Sequence, residues 1–117
     1  MGIDLKILAS NFRERRGELL STASLRADRD PRLLSVFSTE AKPCIVQPLP
    51  DGLKVGHYED GGIRFDDKDR YERPLTFTTP QQLEVLRDIE EINEWNRAIV
   101  AFLLALPPDT KIILYWC

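Results

Sequence analysis

The sequence predicts an α+β fold over residues 1–117, taken as one domain: a mixed or antiparallel sheet of about five strands, helices packed mainly on one face, and the C-terminal strand central. Three observations carry this. Short apolar/polar alternations at the start of the chain and around residues 53–66 have the period of strands. A run from Ile92 to Leu106 has helical spacing. The last residues, Ile112-Ile113-Leu114-Tyr115-Trp116, are apolar without alternation, the pattern of a strand covered on both faces. No Gly/Ser linker, repeat or long charge block divides the chain.

Taken in order, Ile3, Leu5 and Ile7 alternate with Asp4 and Lys6, predicting a first strand with one buried face. A polar connector containing Arg13, Arg15 and Arg16 follows. Leu19 to Leu25 reads as a second strand; a helix from Asn11, aligning Phe12, Leu19 and Ala23, is the alternative. Asp30-Pro31 is a helix start, because Asp accepts from the free N–H groups of a first turn and Pro lacks only an N–H that had no partner there. That helix runs through Leu33, Leu34 and Phe37 to about Ser38. Pro43, Pro48 and Pro50 leave room for at most a short strand at 44–47, expected to bury Cys44.

Leu53 to Glu59 and Ile63 to Asp66 form a hairpin. A three-residue loop, Asp60-Gly61-Gly62, would pair His57 with Phe65 and put Leu53, Val55, His57, Ile63 and Phe65 on one face. A two-residue loop would place the two apolar sets on opposite faces, so the longer loop is expected. Leu75 to Thr78 is a short extended segment. Thr79, Pro80 and Gln82 make a capping-box start for a helix with Leu83, Leu86 and Ile89 in line. In the helix from Asn93 to Leu106, the stripe Ile92, Trp95, Ile99, Phe102, Leu103, Leu106 places Trp95 in the core and turns Asn96 and Arg97 away. Its second half is apolar on nearly all sides, which predicts cover from other elements. Pro107-Pro108 stops it.

The net charge of −3 argues against nucleic acid as partner. The longest apolar run, Ala98 to Leu106, is about half of what a bilayer needs, so no membrane role is expected. Asp4 and Lys6 interrupt any secretory signal, and two cysteines, Cys44 and Cys117, are expected to be reduced; the expected location is cytoplasmic.

Chemistry-bearing motifs are few. The sequence has no Gly-x-x-x-x-Gly-Lys, no Gly-x-Gly-x-x-Gly and no Gly-x-Ser-x-Gly, so no cofactor is expected. His57 is the only histidine and is the one catalytic candidate, with Glu59 or Asp66 as its orienting carboxylate. The alternative is a structural histidine bonded to the backbone. Cys44 lacks the setting of a nucleophile. Asp67 and Asp69 are spaced like the first ligands of a calcium loop, but Glu72 stands where that loop needs Gly and Thr78 where it needs a carboxylate, so no metal is expected. Arg13, Arg15 and Arg16 are diluted by Glu14 and Glu18 and read as a solvated connector. Tyr58, Asp60, Arg64, Arg70, Tyr71 and Arg73 gather Tyr and Arg groups of the kind that dominate interface hot spots. The expectation is therefore a non-enzymatic binding module that engages a protein partner through the 53–73 hairpin and loop. The alternative is a small enzyme or ligand-binding domain using His57.

Overall fold

The computed structural model describes residues 3–10 and 14–117. Its main sheet has five strands: β1 (Leu5–Ala9), β3 (Ala23–Arg26), β4 (Gln47–Pro48), β7 (Thr76–Thr78) and β8 (Ile112–Trp116). Their order is β3-β1-β8-β7-β4 and every pairing is antiparallel, so the C-terminal strand is central as expected. A second sheet was not anticipated. It orders β2 (Glu18–Leu20), β5 (Lys54–Glu59) and β6 (Gly62–Asp66), with β2 parallel and β6 antiparallel to β5. The strand reading of 19–25 is correct, but a bend at Thr22 sends its two halves into different sheets. Asn11, Phe12 and Arg13, where the alternative helix would begin, lie outside the described residues.

The main sheet is the middle of three layers, and alternation along its inner strands sorts side chains between two cores. Leu5, Ile7, Ile112 and Leu114 join Leu33, Phe37, Leu83, Leu86, Ile99 and Leu103 from the helical layer. Leu8, Ile113 and Tyr115 point the other way, toward Leu19, Leu53 and Val55 of the small sheet. β1 is thus buried on both faces, not one. Ile3 lies before it and is exposed. A residue in the centre of such a sheet touches a layer whichever way it points, and each Leu or Ile removed from water contributes roughly 1.5–3 kcal/mol.

The helices follow their caps. In α1 (Pro31–Val36) the Asp30 carboxylate accepts from Arg32 N–H at 3.0 Å. In α2 (Glu94–Leu104) the Asn93 side chain accepts from Asn96 N–H at 2.8 Å. The Thr79 capping contact forms, with Gln82 N–H donating to Oγ1 at 3.3 Å, but only a 3₁₀ segment, Gln82–Leu86, follows. Asp88, Glu90 and Glu91 come next, and negative charge opposes the carbonyl end of a longer helix.

Two expectations for α2 are corrected. Trp95 is 54% exposed and Phe102 is also at the surface, whereas Asn96 is fully buried. The inward stripe is Ile92, Asn96, Ile99, Val100 and Leu103, one residue round from the stripe read in the sequence. Asn96 is tolerated there because Asp28 N–H donates to its Oδ1 at 2.8 Å and its Nδ2 donates to the Asp28 carbonyl at 3.1 Å. The Trp95 indole N–H donates to the Arg26 carbonyl at 2.9 Å, so the ring lies across β3 rather than in the core. α2 is an outer layer with Ala98, Ala101 and Phe102 facing water, not a helix covered on all sides. Cys44 is exposed and lies outside the strands; it too had been expected inside.

Asn96→Leu is therefore expected to lower stability by about 2 kcal/mol, because it strands the Asp28 N–H and carbonyl without partners. Ala98→Gln on the exposed face is expected to change it by less than about 0.5 kcal/mol. Urea unfolding of the two variants checks both values.

Candidate functional site

The hairpin decides where the polar groups go, and its register differs from the one the apolar pattern favoured. Glu59 pairs with Gly62, Tyr58 with Ile63, His57 with Arg64, Gly56 with Phe65 and Val55 with Asp66. The loop has two residues, Asp60 and Gly61, with φ of 51° and 82°. Positive φ at both central positions belongs to a type I′ turn, which Asp-Gly suits and which matches the twist of the strands. Turn chemistry therefore prevails over apolar segregation. The inner face carries Val55, His57, Glu59, Arg64 and Asp66, while Ile63 and Phe65 face outward.

That inner face meets a charge from the main sheet. Lys6, on β1, is 7% exposed, and its ammonium donates to Tyr58 O at 2.5 Å and Glu59 Oε2 at 3.1 Å, and lies 3.0 Å from His57 Nδ1. An ammonium has three donors and no acceptor, so all three are used and His57 Nδ1 must accept. The ring proton then sits on Nε2 and faces Asp66 Oδ2 at 2.8 Å. The imidazole is thus held between a cation and a carboxylate. Tyr115, the cross-strand neighbour of Lys6, closes the ring's face with centroids 4.7 Å apart. His57 is 1% exposed.

Two arginines complete the cluster from its rim. Arg70 forms a short ion pair with Glu59, and Arg64 Nη2 reaches Asp66 Oδ1 at 3.4 Å. Burial pushes the Glu59 carboxyl up, but the Lys6 hydrogen bond and the charges of Lys6 and Arg70 together hold it below its ordinary value. Burial raises the Tyr115 hydroxyl, against an opposing hydrogen bond from Arg70. The same Tyr115 contact, followed by the Glu59 charge, raises Arg70.

The residues singled out from sequence separate into different places. His57, Glu59 and Asp66 do converge, and Arg64 and Arg70 attach to their carboxylates. Tyr58 is 70% exposed on the opposite face of the hairpin, beside Ile63 and Phe65. Asp60 forms the turn. Tyr71 donates from its hydroxyl to the Cys117 carbonyl at 3.3 Å, and Arg73 is an exposed residue of the following loop. Asp69 is occupied as a loop cap: its Oδ1 accepts from Tyr71 N–H at 2.8 Å and Arg73 N–H at 3.1 Å. Among the described residues no cluster of His, Cys, Asp and Glu could hold a metal ion.

Sequence reasoning missed Lys6, Tyr115, Leu20, Ile63 and Phe65. The available signal for Lys6 was its place in a strand flanked by apolar residues, next to a strand too apolar to face water. The missed surface followed from the wrong register. Leu20 lies beside Gly56, and an ideal Cβ at Gly56 would come within 2.7 Å of the Phe65 ring and 3.1 Å of Leu20 Cδ1. Phe65 and Leu20 thus pack over a position that only glycine leaves open.

Lys6→Met is expected to destabilise the fold by about 3 kcal/mol or more, since Glu59 and His57 would lose their buried partner. Combined with Glu59→Gln it should cost less than the sum of the single changes, with a coupling of about 1–3 kcal/mol in a urea double-mutant cycle. Because the folded Glu59 carboxyl lies below its ordinary value of 4.5, its stabilisation is present above that pH and is lost as pH falls through the folded value. Stability measured across that acid range should therefore fall less steeply with pH in Glu59→Gln than in the wild type.

No family model, curated protein or solved structure matches the chain. Function is therefore read from the residues themselves.

Proposed function

We propose that the chain is a non-enzymatic, cytosolic interaction module that engages a protein partner through its 53–73 hairpin and loop. The supporting observation is the outer face of that hairpin. Tyr58, Ile63 and Phe65 are 70%, 50% and 43% exposed, and with Leu20 they occupy neighbouring positions on one sheet surface. Contiguous apolar surface on a folded chain marks a contact site, and an exposed tyrosine adds area with a directional polar group.

The buried cluster supports the same reading from beneath. Its hydrogen bonds are internal: Lys6 has used every donor, and both nitrogens of His57 are engaged. A general base must reach a substrate proton, and this imidazole is sealed by Tyr115. The cluster therefore acts as the rigid backing of a presented surface. Both cysteines are free thiols, which suits a reducing compartment, and no helix among the described residues is long and apolar enough to cross a membrane.

The test compares saturable capture of a partner from native lysate by the wild type and by Tyr58→Ala/Ile63→Ser, after thermal unfolding confirms that the variant is folded. Loss of capture by about tenfold or more is expected. Equal capture by both proteins, or capture by neither, rejects the proposal.

A further inference from the structure

The small sheet has an edge as well as a face, and the direction of its backbone groups can be followed. Lys54 N–H donates to the Gly17 carbonyl and Ser21 N–H donates to the Gly56 carbonyl, so the even residues of β5 turn toward β2. The odd residues, Val55, His57 and Glu59, turn toward β6 and pair with Asp66, Arg64 and Gly62. Ile63 and Phe65 lie between those bonded pairs, so their N–H and C=O groups point away from β5, along the open edge of the sheet.

The other edges are closed. Arg15 holds both backbone groups of Glu18 on β2, and Ser10 donates to the Leu20 carbonyl. Trp95 caps the Arg26 carbonyl on β3, and β4 is two residues long and includes Pro48. The chain itself pairs along the continuation of that edge just beyond β6: Leu75 N–H donates to the Asp67 carbonyl at 3.0 Å, and Asp69 N–H to the Arg73 carbonyl at 2.9 Å. Among the described residues, that line of pairing is left open past Leu75, beside Ile63 and Phe65. An open edge that carries exposed apolar residues invites an added strand.

We propose that the partner contributes an extended segment that adds to β6 antiparallel, with apolar residues alternating with acidic ones. This rests on the reading that the hairpin engages a protein. The added strand's apolar residues extend the Ile63 and Phe65 surface, and its intervening acidic residue lies on the opposite face beside Arg64. The Arg64 side chain is 53% exposed, and its contact with Asp66 is long at 3.4 Å, so it can accept a second carboxylate. The same charge disfavours a second copy of this chain as the occupant. The twofold register that pairs Ile63 with Phe65 of the other copy sets Arg64 against Arg64, and a register centred on Phe65 collides with the segment at Leu75.

The probe is a blocked peptide with a Val-Glu-Val-Glu-Val centre, compared with its Val-Lys-Val-Lys-Val counterpart and titrated into the full chain by NMR with amide exchange. The acidic peptide is expected to bind at least fivefold more tightly than the basic one and to slow exchange of the Ile63 and Phe65 amides. Ile63→Pro, which replaces the isoleucine side chain and removes an outward N–H from an edge strand, is expected to abolish protection of the Phe65 amide, while Ile63→Ala, which shortens the side chain but keeps the N–H, retains binding within about threefold. Spectra of both variants establish folding. Equal binding of the two peptides, binding without protection of those amides, no binding at all, or protection that grows with protein concentration in the absence of peptide each overturns the proposal. If the peptides fail while lysate capture still depends on Tyr58, the edge proposal falls and the face reading stands.

Discussion

One ammonium group organises the small sheet. Lys6 is buried in a strand whose other residues are all apolar, and its charge would be prohibitively placed without full hydrogen bonding. It finds that bonding on β5, about fifty residues later in the chain: His57 Nδ1, Tyr58 O and Glu59 Oε2. Because Lys6 belongs to the main sheet and its acceptors to the small one, the contact fixes how the two layers sit on each other. Apolar contacts among Leu8, Leu19, Leu53, Val55 and Ile113 favour their association but are not directional. The polar cluster supplies direction, because displacing the hairpin by one residue would separate Lys6 from its acceptors.

The hairpin consequently has two different faces. Its inner face is committed to Lys6, Tyr115 and the carboxylates that hold His57. Its outer face receives the apolar residues that the inner face does not take. In an isolated domain this inverts the usual preference, since Ile63 and Phe65 are left in water while His57 and Glu59 are enclosed. The inversion is coherent if the outer face has a partner, because apolar surface kept exposed by a stiff, internally satisfied backing is surface available for association.

Much of the architecture was legible in the sequence. The unbroken apolar run 112–116 indicated a strand covered on both sides, and Asp30-Pro31 and Asn93 marked helix starts that the structure places within one residue. The site was legible only in part. His57 and its carboxylates could be named because histidine is unique in the chain, but Lys6 looked like the solvent face of an alternating strand. Trp95 and Asn96 exchanged roles for a related reason. A helical stripe can be rotated by one residue when a buried amide finds both its partners in a neighbouring loop, and Asp28, which supplies them, is far away in sequence.

The sequence by itself determined the main strands, the two capped helices and the central place of the last strand, because those follow from local periodicity, caps and turn residues. The tertiary structure decided the hairpin register, the burial of Lys6 and the division of the Tyr and Arg groups between an internal network and an external face. The reason is physical: a charge can be buried only where distant acceptors meet it, and local pattern carries no record of which distant strand will arrive.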